Sequence, residues 1–337
     1  MKPVLLFLFA FISIFAQAQK NAFLEGRMIS LKGMAQGTTY HIKYRDEQQR
    51  SFQKEIDSLL ADIDKSLSIY RPDSEISQFN RSMSHRFQSP HFYAVLKKSA
   101  EVFRATQGTF DPTVLPLLEA YGFGPTKCPK GALLNVDSLL EYIGFQYINF
   151  DSVSVVKQKA NIRLDLNSIA QGYSVDVVAG FLEKQGINRY MVEIGGEIRT
   201  RGKKNDGQPW TIGIENPLQP AKLQTTVKLH NRAMTTAGNY RNWYEANGQV
   251  FSHIINPKTG EMEQSAILSV TVFADDAITA DGYDTAFFVM GLDAVKQFLV
   301  TRKGLDVYIL YNDDAGQLQV FSTNGVKNLY KSIGYSY

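Results

Sequence analysis

The sequence predicts an α+β fold in which mixed or antiparallel sheets are flanked by helices in one compact unit. Residues 51–70 and 89–108 carry apolar side chains at the spacing of amphipathic helices. Shorter stretches, such as 37–45, alternate apolar and polar residues as half-buried strands do. Because helices and strands do not alternate regularly along the chain, the pattern favours α+β over a doubly wound α/β fold.

The other predicted elements follow in chain order. The helix at 89–108 begins after the capping pair Ser89-Pro90 and ends at Gly108. A later helix has an apolar stripe that recurs every four residues, at Ile169, Tyr173, Val177 and Phe181. Further helices are predicted at 279–290 and 293–299. Strands are predicted at 147–150, 154–156, 161–166, 190–194, 210–215, 224–229, 250–255 and 269–274, and a closing hairpin at 306–311 and 318–322.

The N-terminus predicts export to the periplasm. Lys2, an apolar run over 4–15 and the small-residue site Ala16-Gln17-Ala18 are typical of a signal peptide cleaved after Ala18. An uncleaved membrane anchor is the alternative, but the run is short for a membrane-spanning helix. Residues 1–18 are thus the expected signal peptide and 19–337 the mature domain. No cysteine lies near the cleavage site, so no lipid anchor is expected, and Cys128, the only cysteine, has no partner for an internal disulfide.

Composition narrows the function classes. The chain has 36 basic and 33 acidic residues, a formal net charge of +3, and no clustered basic stretch. A nucleic-acid binder usually shows such a cluster, so no nucleic-acid partner is expected. The hydrophobic content of 44% suits a globular protein with a core of its own. The sequence also has no Gly-rich phosphate loop after a strand, no GxSxG elbow and no paired-histidine zinc motif.

Asp281 and Thr285 form a candidate metal site. They lie four residues apart in the predicted helix 279–290, so both side-chain oxygens share one face near the helix N-terminus. Two hard oxygen ligands with a backbone carbonyl suit Mg²⁺, which prefers octahedral oxygen coordination and often binds beside phosphates. The alternative is a solvated first turn in which Asp281 is only an end charge. Asp284 is predicted to lie on a different face.

Residues 163–182 contain a predicted strand that passes into a helix. Leu164 and Leu166 flank Asp165, and Asn167 or Ser168 is the predicted N-cap. A carboxylate beside free helix N–H groups makes either an ordinary strand-to-helix turn or a ligand site. The residues alone leave both open.

His253 is the candidate general base. It lies near the end of the predicted strand 250–255, before a turn at 256–260, and has the most suitable setting of the five histidines. Histidine titrates near neutral pH and is the usual proton acceptor in catalysis. The alternative is a structural histidine bonded to a neighbouring carbonyl.

Two irregular segments, 70–80 and 108–124, are candidate ligand-binding loops. They combine aromatic residues, polar side chains and prolines, which suits a planar ring with hydrogen-bonding edges. Gly195-Gly196 offers a position where backbone can approach a ligand closely. Each pattern taken alone is weak evidence.

Together, several segments resemble the ApbE family, the FAD:protein FMN transferases. They are GTTYHI, YRPDSEISQFN, GTFDPTV with GFG, LDLNSIAQGYSVD, EIGGEIRTRG, TTAGNYRNWY, SHIINPKTG and TADGYDTAFFVMG, which span about residues 33–291. The resemblance implies an ApbE-like (T-fold-like) unit and a Mg²⁺-dependent enzyme. Such an enzyme cleaves FAD, transfers FMN to a Thr or Ser hydroxyl of another protein, and releases AMP. The implied acceptors are subunits of membrane redox complexes, such as the Na⁺-translocating NADH:quinone reductase and the Rnf complex.

The resemblance also implies roles for individual residues. Mg²⁺ would be held by Asp281, Thr285 and the main-chain carbonyl of Ser168, and His253 would assist attack by the acceptor hydroxyl. The implied FAD contacts are Gln36, Tyr70, Thr109, Phe110, Asp111, Asp165, Gln171 and Ile255. Two of them depart from the family pattern, because Gln36 stands where many relatives have Met and Gln171 where many have Lys.

Two other functions remain open. A Mg²⁺-dependent FAD pyrophosphatase would use the same site with water as the nucleophile, giving FMN and AMP. A non-catalytic periplasmic flavin-binding protein would bind FAD without releasing AMP, although Asp281, Thr285 and His253 argue against it.

Overall fold

The computed structural model describes residues 27–332, apart from 127, 128, 130–133, 220, 241, 242, 247 and 264. The predicted signal peptide and Cys128 lie outside the described residues. The strands are β1 (Arg27–Ala35), β2 (Thr38–Asp46), β3 (Ser84–Arg86), β4 (Ile148–Phe150), β5 (Ser154–Lys157), β6 (Tyr190–Ile194), β7 (Glu197–Arg201), β8 (Trp210–Glu215), β9 (Leu223–Leu229), β10 (Ala233–Gly238), β11 (Trp243–Ala246), β12 (Gln249–Ser252), β13 (Ile267–Ala274), β14 (Asp306–Asn312), β15 (Leu318–Ser322) and β16 (Tyr330–Ser332). The helices are α1 (Gln53–Leu67), α2 (Glu75–Asn80), α3 (Pro90–Ala105), α4 (Leu115–Ala120), α5 (Val136–Leu140), α6 (Asn167–Lys184), α7 (Ala277–Met290), α8 (Leu292–Val300) and α9 (Asn324–Lys327).

An antiparallel sheet of eight strands, in the order β1-β2-β6-β7-β10-β13-β14-β15, is the framework of the fold. Its central strands pair in registers such as Tyr40↔Ile194 and Thr236↔Thr271. Three smaller sheets, β16-β9-β8, β3-β5-β4 and the hairpin β11-β12, surround it.

The large sheet is apolar on both faces because alternate residues of its strands point to opposite sides. In β14, Val307 and Ile309 join the main core with helices α6 and α7, whereas Tyr308 and Leu310 join a second cluster with the β16-β9-β8 sheet. One face is therefore covered by helices and the other by a sheet.

A third, small apolar cluster lies beneath the irregular segments. Its buried members are Leu117, Ile143 and Ile255, and side chains of α4 and α5 pack around them. It joins α4, α5 and the residues just after α5 to the chain that follows β12. This cluster supports one side of the site described below.

The predicted α+β class is confirmed, and most predicted elements are present within a few residues of their expected bounds. The strand expected at 161–166 is wrong. This segment is extended, but Arg163 makes only an isolated parallel bridge with Val114, and both backbone groups of Leu164 bond to the side-chain amide of Asn80. The predicted strand at 250–255 ends earlier, so His253 follows β12 instead of lying within it.

The predicted N-cap of α6 is also wrong. The helix begins at Asn167, and its N-cap is Leu166, whose side chain makes no capping bond. Asp165, one residue earlier, accepts the Asn167 N–H at 2.8 Å through Oδ1. None of the helices in the described ranges is long and apolar enough to cross a membrane.

Candidate active site

A cavity of about 350 Å³ lies between the N-terminal turns of α6 and α7 and the loops that precede α4 and follow β12. Eleven of the twelve predicted site residues line it: Tyr70, Thr109, Phe110, Asp111, Asp165, Ser168, Gln171, His253, Ile255, Asp281 and Thr285. Residues that are more than a hundred positions apart in the sequence thus meet at one place. The cavity volume is within the usual range for a small-molecule site.

Gln36 is the predicted site residue that does not line this cavity. It occupies the turn between β1 and β2 with a φ of 54°, and its Nε2 donates to Ser174 Oγ of α6 at 2.5 Å. The structure therefore places Gln36 against a helix behind the cavity wall. Tyr70, in contrast, lies at the rim and is 63% exposed.

The cavity wall is rich in buried carboxylates. Asp111, Asp165, Glu197, Asp281 and Asp284 all line it and are all at least nine-tenths buried. None of its described lining residues is a lysine or an arginine. A phosphate-bearing ligand would meet negative charge here unless a cation accompanied it.

Burial perturbs these carboxylates. It raises the pKa of Asp281 to about 7, with the charge of Asp176 adding to the shift. Burial, followed by the charge of Asp281, raises the pKa of Asp284 well above its usual value. The desolvated charged form of each would be stabilised by a bound cation, since an opposite charge favours ionisation.

The two helices cross closely at Gly172. The Gly172 N–H donates to Asp281 Oδ2 at 2.7 Å. A Cβ at position 172 would lie 2.6 Å from the Asp281 Cβ and 2.7 Å from the Ala277 carbonyl carbon. Glycine is therefore required for α6 to approach the first turn of α7 this closely.

Asp176 fixes the same crossing one turn further along α6. Its carboxylate accepts the N–H groups of Ala277 at 3.0 Å and Ile278 at 2.8 Å, the first two residues of α7. Arg199 Nη1 of β7 donates to it at 2.7 Å. The carboxylate of Asp176 on α6 thus binds two free N–H groups at the N-terminus of α7, where negative charge is favoured. This contact sets the position of Asp281 relative to Ser168.

The backbone at Ser168 is suited to bind a cation. In a regular helix, the carbonyl of Ser168 accepts the N–H of Gly172, four residues later. Here that N–H donates to Asp281, which leaves the carbonyl with at most a shared donor. Asp281 and Thr285 line the same cavity, so the three residues offer candidate oxygen ligands of the type that Mg²⁺ prefers. Among the described residues, no group of three or more His, Cys, Asp or Glu side chains is placed so that it could hold a metal ion.

The segment before α6 is held from both sides. The Asp165 N–H donates to the Pro112 carbonyl at 2.8 Å, and the Asn80 side chain pairs with Leu164 through bonds of 2.9 and 2.8 Å. Lys157, buried beneath, donates to the carbonyls of Asn80 and Ile162 at 2.9 and 2.8 Å. Burial raises the pKa of Asp165 to about 6. Asp165 is therefore a fixed, desolvated carboxylate that faces the cavity.

Both carboxylate oxygens of Asp111 accept hydrogen bonds from other residues of the protein. Oδ1 accepts both the N–H and the hydroxyl of Thr113, at 2.8 and 2.6 Å, and Oδ2 accepts the N–H of Phe145 at 3.1 Å. Burial raises the pKa of Asp111 to about 6 in spite of these bonds, which lower it. The carboxylate holds the loop that presents Thr109 and Phe110 to the cavity.

Sequence reasoning missed several residues of this site. Asp284 was expected on another face, but it lines the cavity three residues after Asp281, and residues three apart are neighbours on a helix. That spacing alone was a sufficient signal. Glu197 follows the Gly195-Gly196 turn, where Gly195 lines the cavity with a φ of 67°. Phe123 belongs to the wall as well; it lies in the predicted ligand-binding loop 108–124 but was not named as a site residue.

Comparisons with known proteins show the family to which the chain is similar. A model of the ApbE family matches residues 36–309. The chain is 37% identical over 309 residues to the FAD:protein FMN transferase of Haemophilus influenzae, covering 87% of this chain and 89% of that protein. Among solved structures it is similar to the flavin transferase ApbE from Vibrio cholerae, with a TM-score of 0.82, 34% identity and 90% and 99% coverage of the two chains. The Pseudomonas stutzeri flavinyl transferase ApbE in its apo form gives a TM-score of 0.81, 30% identity and 90% and 97% coverage. The chain therefore belongs to the ApbE family.

Proposed function

We propose that this chain is a Mg²⁺-dependent FAD:protein FMN transferase. It moves FMN from FAD to a Thr or Ser hydroxyl of an acceptor protein and releases AMP. The main observation behind this proposal is that one cavity is lined by the carboxylate-rich helix crossing, by the loops around Thr109 and Asp165, and by His253. The names of the relatives support the same reaction.

Asp281, Thr285 and the carbonyl of Ser168 are the proposed Mg²⁺ ligands. The ion would supply charge neutralisation to the pyrophosphate of FAD, which the acidic wall cannot give. In the structure, Thr285 Oγ1 donates to Asp284 Oδ1 at 3.2 Å, so its lone pairs remain available on the side away from that bond. Asp284 in this arrangement orients the Thr285 hydroxyl.

The other lining residues would bind and orient FAD. Thr109, Phe110 and Tyr70 offer a hydroxyl and two rings, which suits a flat heterocycle. The carboxylate of Asp165, which interacts with the N–H and the side chain of Asn167, lines the cavity and would accept a hydrogen bond from the ligand. The side-chain amide of Gln171 can donate or accept beside it.

His253 would accept the proton of the acceptor hydroxyl. The hydroxyl oxygen forms a bond to the phosphorus of the FMN half, and the bond between this phosphorus and the oxygen of AMP breaks. AMP leaves with that oxygen, and the proton passes to the imidazole. A threonine hydroxyl is a weak nucleophile until a partner takes its proton, so this step depends on the ring position.

Intact mass spectrometry of a Thr-bearing acceptor, incubated with FAD and Mg²⁺, tests the proposal. A gain of one FMN moiety, with equimolar AMP and dependence on Mg²⁺, is the expected result. Release of FMN and AMP with no gain in acceptor mass would replace the proposal by FAD hydrolysis. Tight FAD binding without AMP release would replace it by flavin binding alone.

We further propose that the protein acts in the periplasm on subunits of membrane redox complexes of the quinone-reductase or Rnf type. This rests on the signal-like N-terminus and the resemblance to the family. N-terminal sequencing of the protein from a periplasmic fraction should start at Gln19. Recovery of the uncleaved chain from the cytoplasm would contradict this location.

A further inference from the structure

The hairpin of β11 and β12 carries His253 directly after its second strand. Within the described part of the chain, these two strands pair only with each other, through registers such as Tyr244↔Phe251. A two-stranded hairpin is marginally stable by itself. The position of His253 therefore depends on what attaches this hairpin to the rest of the protein.

Two tyrosine hydroxyls contribute to that attachment, beside the burial of Ile254 in the main core and of Ile255 in the small cluster. The Tyr244 hydroxyl donates to the Tyr121 carbonyl at 2.7 Å, and the Tyr121 hydroxyl donates to the Gly260 carbonyl at 3.1 Å. Tyr121 is the C-cap residue of α4. Since Tyr244 is the partner of Phe251 and Gly260 follows His253 by seven positions, the chain is tethered to α4 both before and after the histidine.

Aromatic packing joins the same residues. Tyr244 stacks on Phe251 with centroids 4.9 Å apart and planes at 1°. Phe123 lies 5.3 Å from the Tyr244 ring and 6.4 Å from the His253 ring, which it contacts edge to face. Tyr121 lies 6.4 Å from Phe251. The imidazole thus borders a series of contacting rings, in the order Phe123, Tyr244, Phe251 and Tyr121, that includes both tethering tyrosines.

We propose that Tyr121 and Tyr244 are positioning residues that hold the His253 imidazole in place for the acceptor step. The inference rests on the proposed function, in which His253 takes the proton of the acceptor hydroxyl. Neither tyrosine lines the cavity that is proposed to bind FAD. Their hydroxyls act only through the backbone on the two sides of His253.

Tyr121→Phe and Tyr244→Phe remove one hydroxyl each and keep the rings. A misplaced base loses part of the factor of about 10²–10⁴ that a general base supplies, so we expect kcat for FMN transfer to fall about 3- to 30-fold. The KM for FAD should stay within about two-fold, because the FAD wall is unchanged. Tyr330→Phe is the matched control, since it also removes one tyrosine hydroxyl and keeps the ring. This hydroxyl bonds to Ser322 Oγ at 3.0 Å, and Tyr330 lies in β16 of the β16-β9-β8 sheet. This substitution should leave kcat unchanged.

A double-mutant cycle separates positioning from general weakening of the fold. In a His253→Gly background, the two Tyr→Phe changes should cost less than about two-fold in transfer, because no imidazole is left to position. Equal losses with and without His253 would overturn the proposal, as would wild-type kcat in both single variants.

A measurement that does not use activity keeps the inference separable from the proposed function. The ring resonances of His253, identified by their loss in His253→Gly, should shift or broaden in Tyr121→Phe and Tyr244→Phe but not in Tyr330→Phe. If the wild type transfers no FMN, the proposed function fails, and this comparison alone decides whether the tyrosines position the ring. Unchanged His253 resonances in both variants would refute it.

Discussion

Gly172→Ala tests the helix crossing on which the proposed metal site depends. The new methyl group would lie 2.6 Å from the Asp281 Cβ and would also press on the backbone of Ala277, which cannot swing away as a flexible side chain can. Overpacking of this kind costs about 1–3 kcal/mol, and the higher helix propensity of Ala returns about 1 kcal/mol. The net loss of stability should therefore be small, at about 0–2 kcal/mol.

The effect on activity should be much larger. Separating the helices moves Asp281 relative to Ser168 and weakens the bond between the Gly172 N–H and Asp281. A displacement of about 1 Å at a reacting centre can cost about 10²-fold in rate, so we expect FMN transfer to fall by about that factor. The apparent Mg²⁺ affinity should fall with it. Transfer rates measured over a Mg²⁺ titration, together with thermal unfolding, give both quantities.

Gly180→Ala in the same helix is the control. A Cβ at position 180 meets nothing within 4 Å, so the substitution should stabilise the protein by up to about 1 kcal/mol and leave transfer unchanged. If Gly172→Ala transferred FMN at the wild-type rate with the same Mg²⁺ dependence, the crossing would not set the metal site, and this reasoning would fail.

Three further substitutions test the proposed roles. Asp281→Ala should abolish transfer through loss of Mg²⁺, measured by metal titration; full activity at ordinary Mg²⁺ would remove Asp281 from the metal site. Asp165→Asn should weaken FAD binding more than Mg²⁺ binding. Asp165→Asn should also raise the free energy of unfolding at pH 7 by about 2–3 kcal/mol. The pKa of Asp165 is raised to about 6 in the folded state, so ionisation of this carboxyl destabilises the fold as the pH rises from about 4 to 6, and Asn cannot ionise. Denaturant curves at pH 7 and below pH 4 check this, since the gain should vanish at the lower pH. His253→Ala should bind FAD within a few-fold of wild type but transfer FMN about 10²-fold more slowly; a defect confined to FAD affinity would make the histidine structural.

Much of the fold was predictable because periodicity reports burial. The alternation at 37–45 and the helical stripes at 51–70 and 89–108 all correspond to elements with one buried face. The same signal misled at 161–166. Alternation there reflects buried Ile162, Leu164 and Leu166, but the backbone partner of Leu164 is the Asn80 side chain. A pattern of burial cannot tell which group satisfies the backbone.

The candidate site was predictable where its residues lie close together in the sequence or match a family segment. Ser168, Asp281 and Thr285 line one cavity, as their combined assignment requires. Contacts that depend on tertiary packing could not be predicted from local sequence patterns. The bond between Gly172 and Asp281 joins residues 109 positions apart, and the Tyr244–Tyr121 bond joins residues 123 apart. Neither leaves a local pattern.

The small cluster of Leu117, Ile143 and Ile255 buries less apolar surface than the large core, so the two sides of the cavity differ in the stability of their packing. Ser168 and Asp281 belong to helices of the large core, and Ile254, directly after His253, is buried in that core as well, whereas Ile255 packs in the smaller group. Local opening costs less where less apolar surface is buried, so the packing around Ile255 should open more readily than the helix crossing. In the proposed function FAD contacts Ile255, so bound nucleotide would stabilise the side of the cavity that opens more readily.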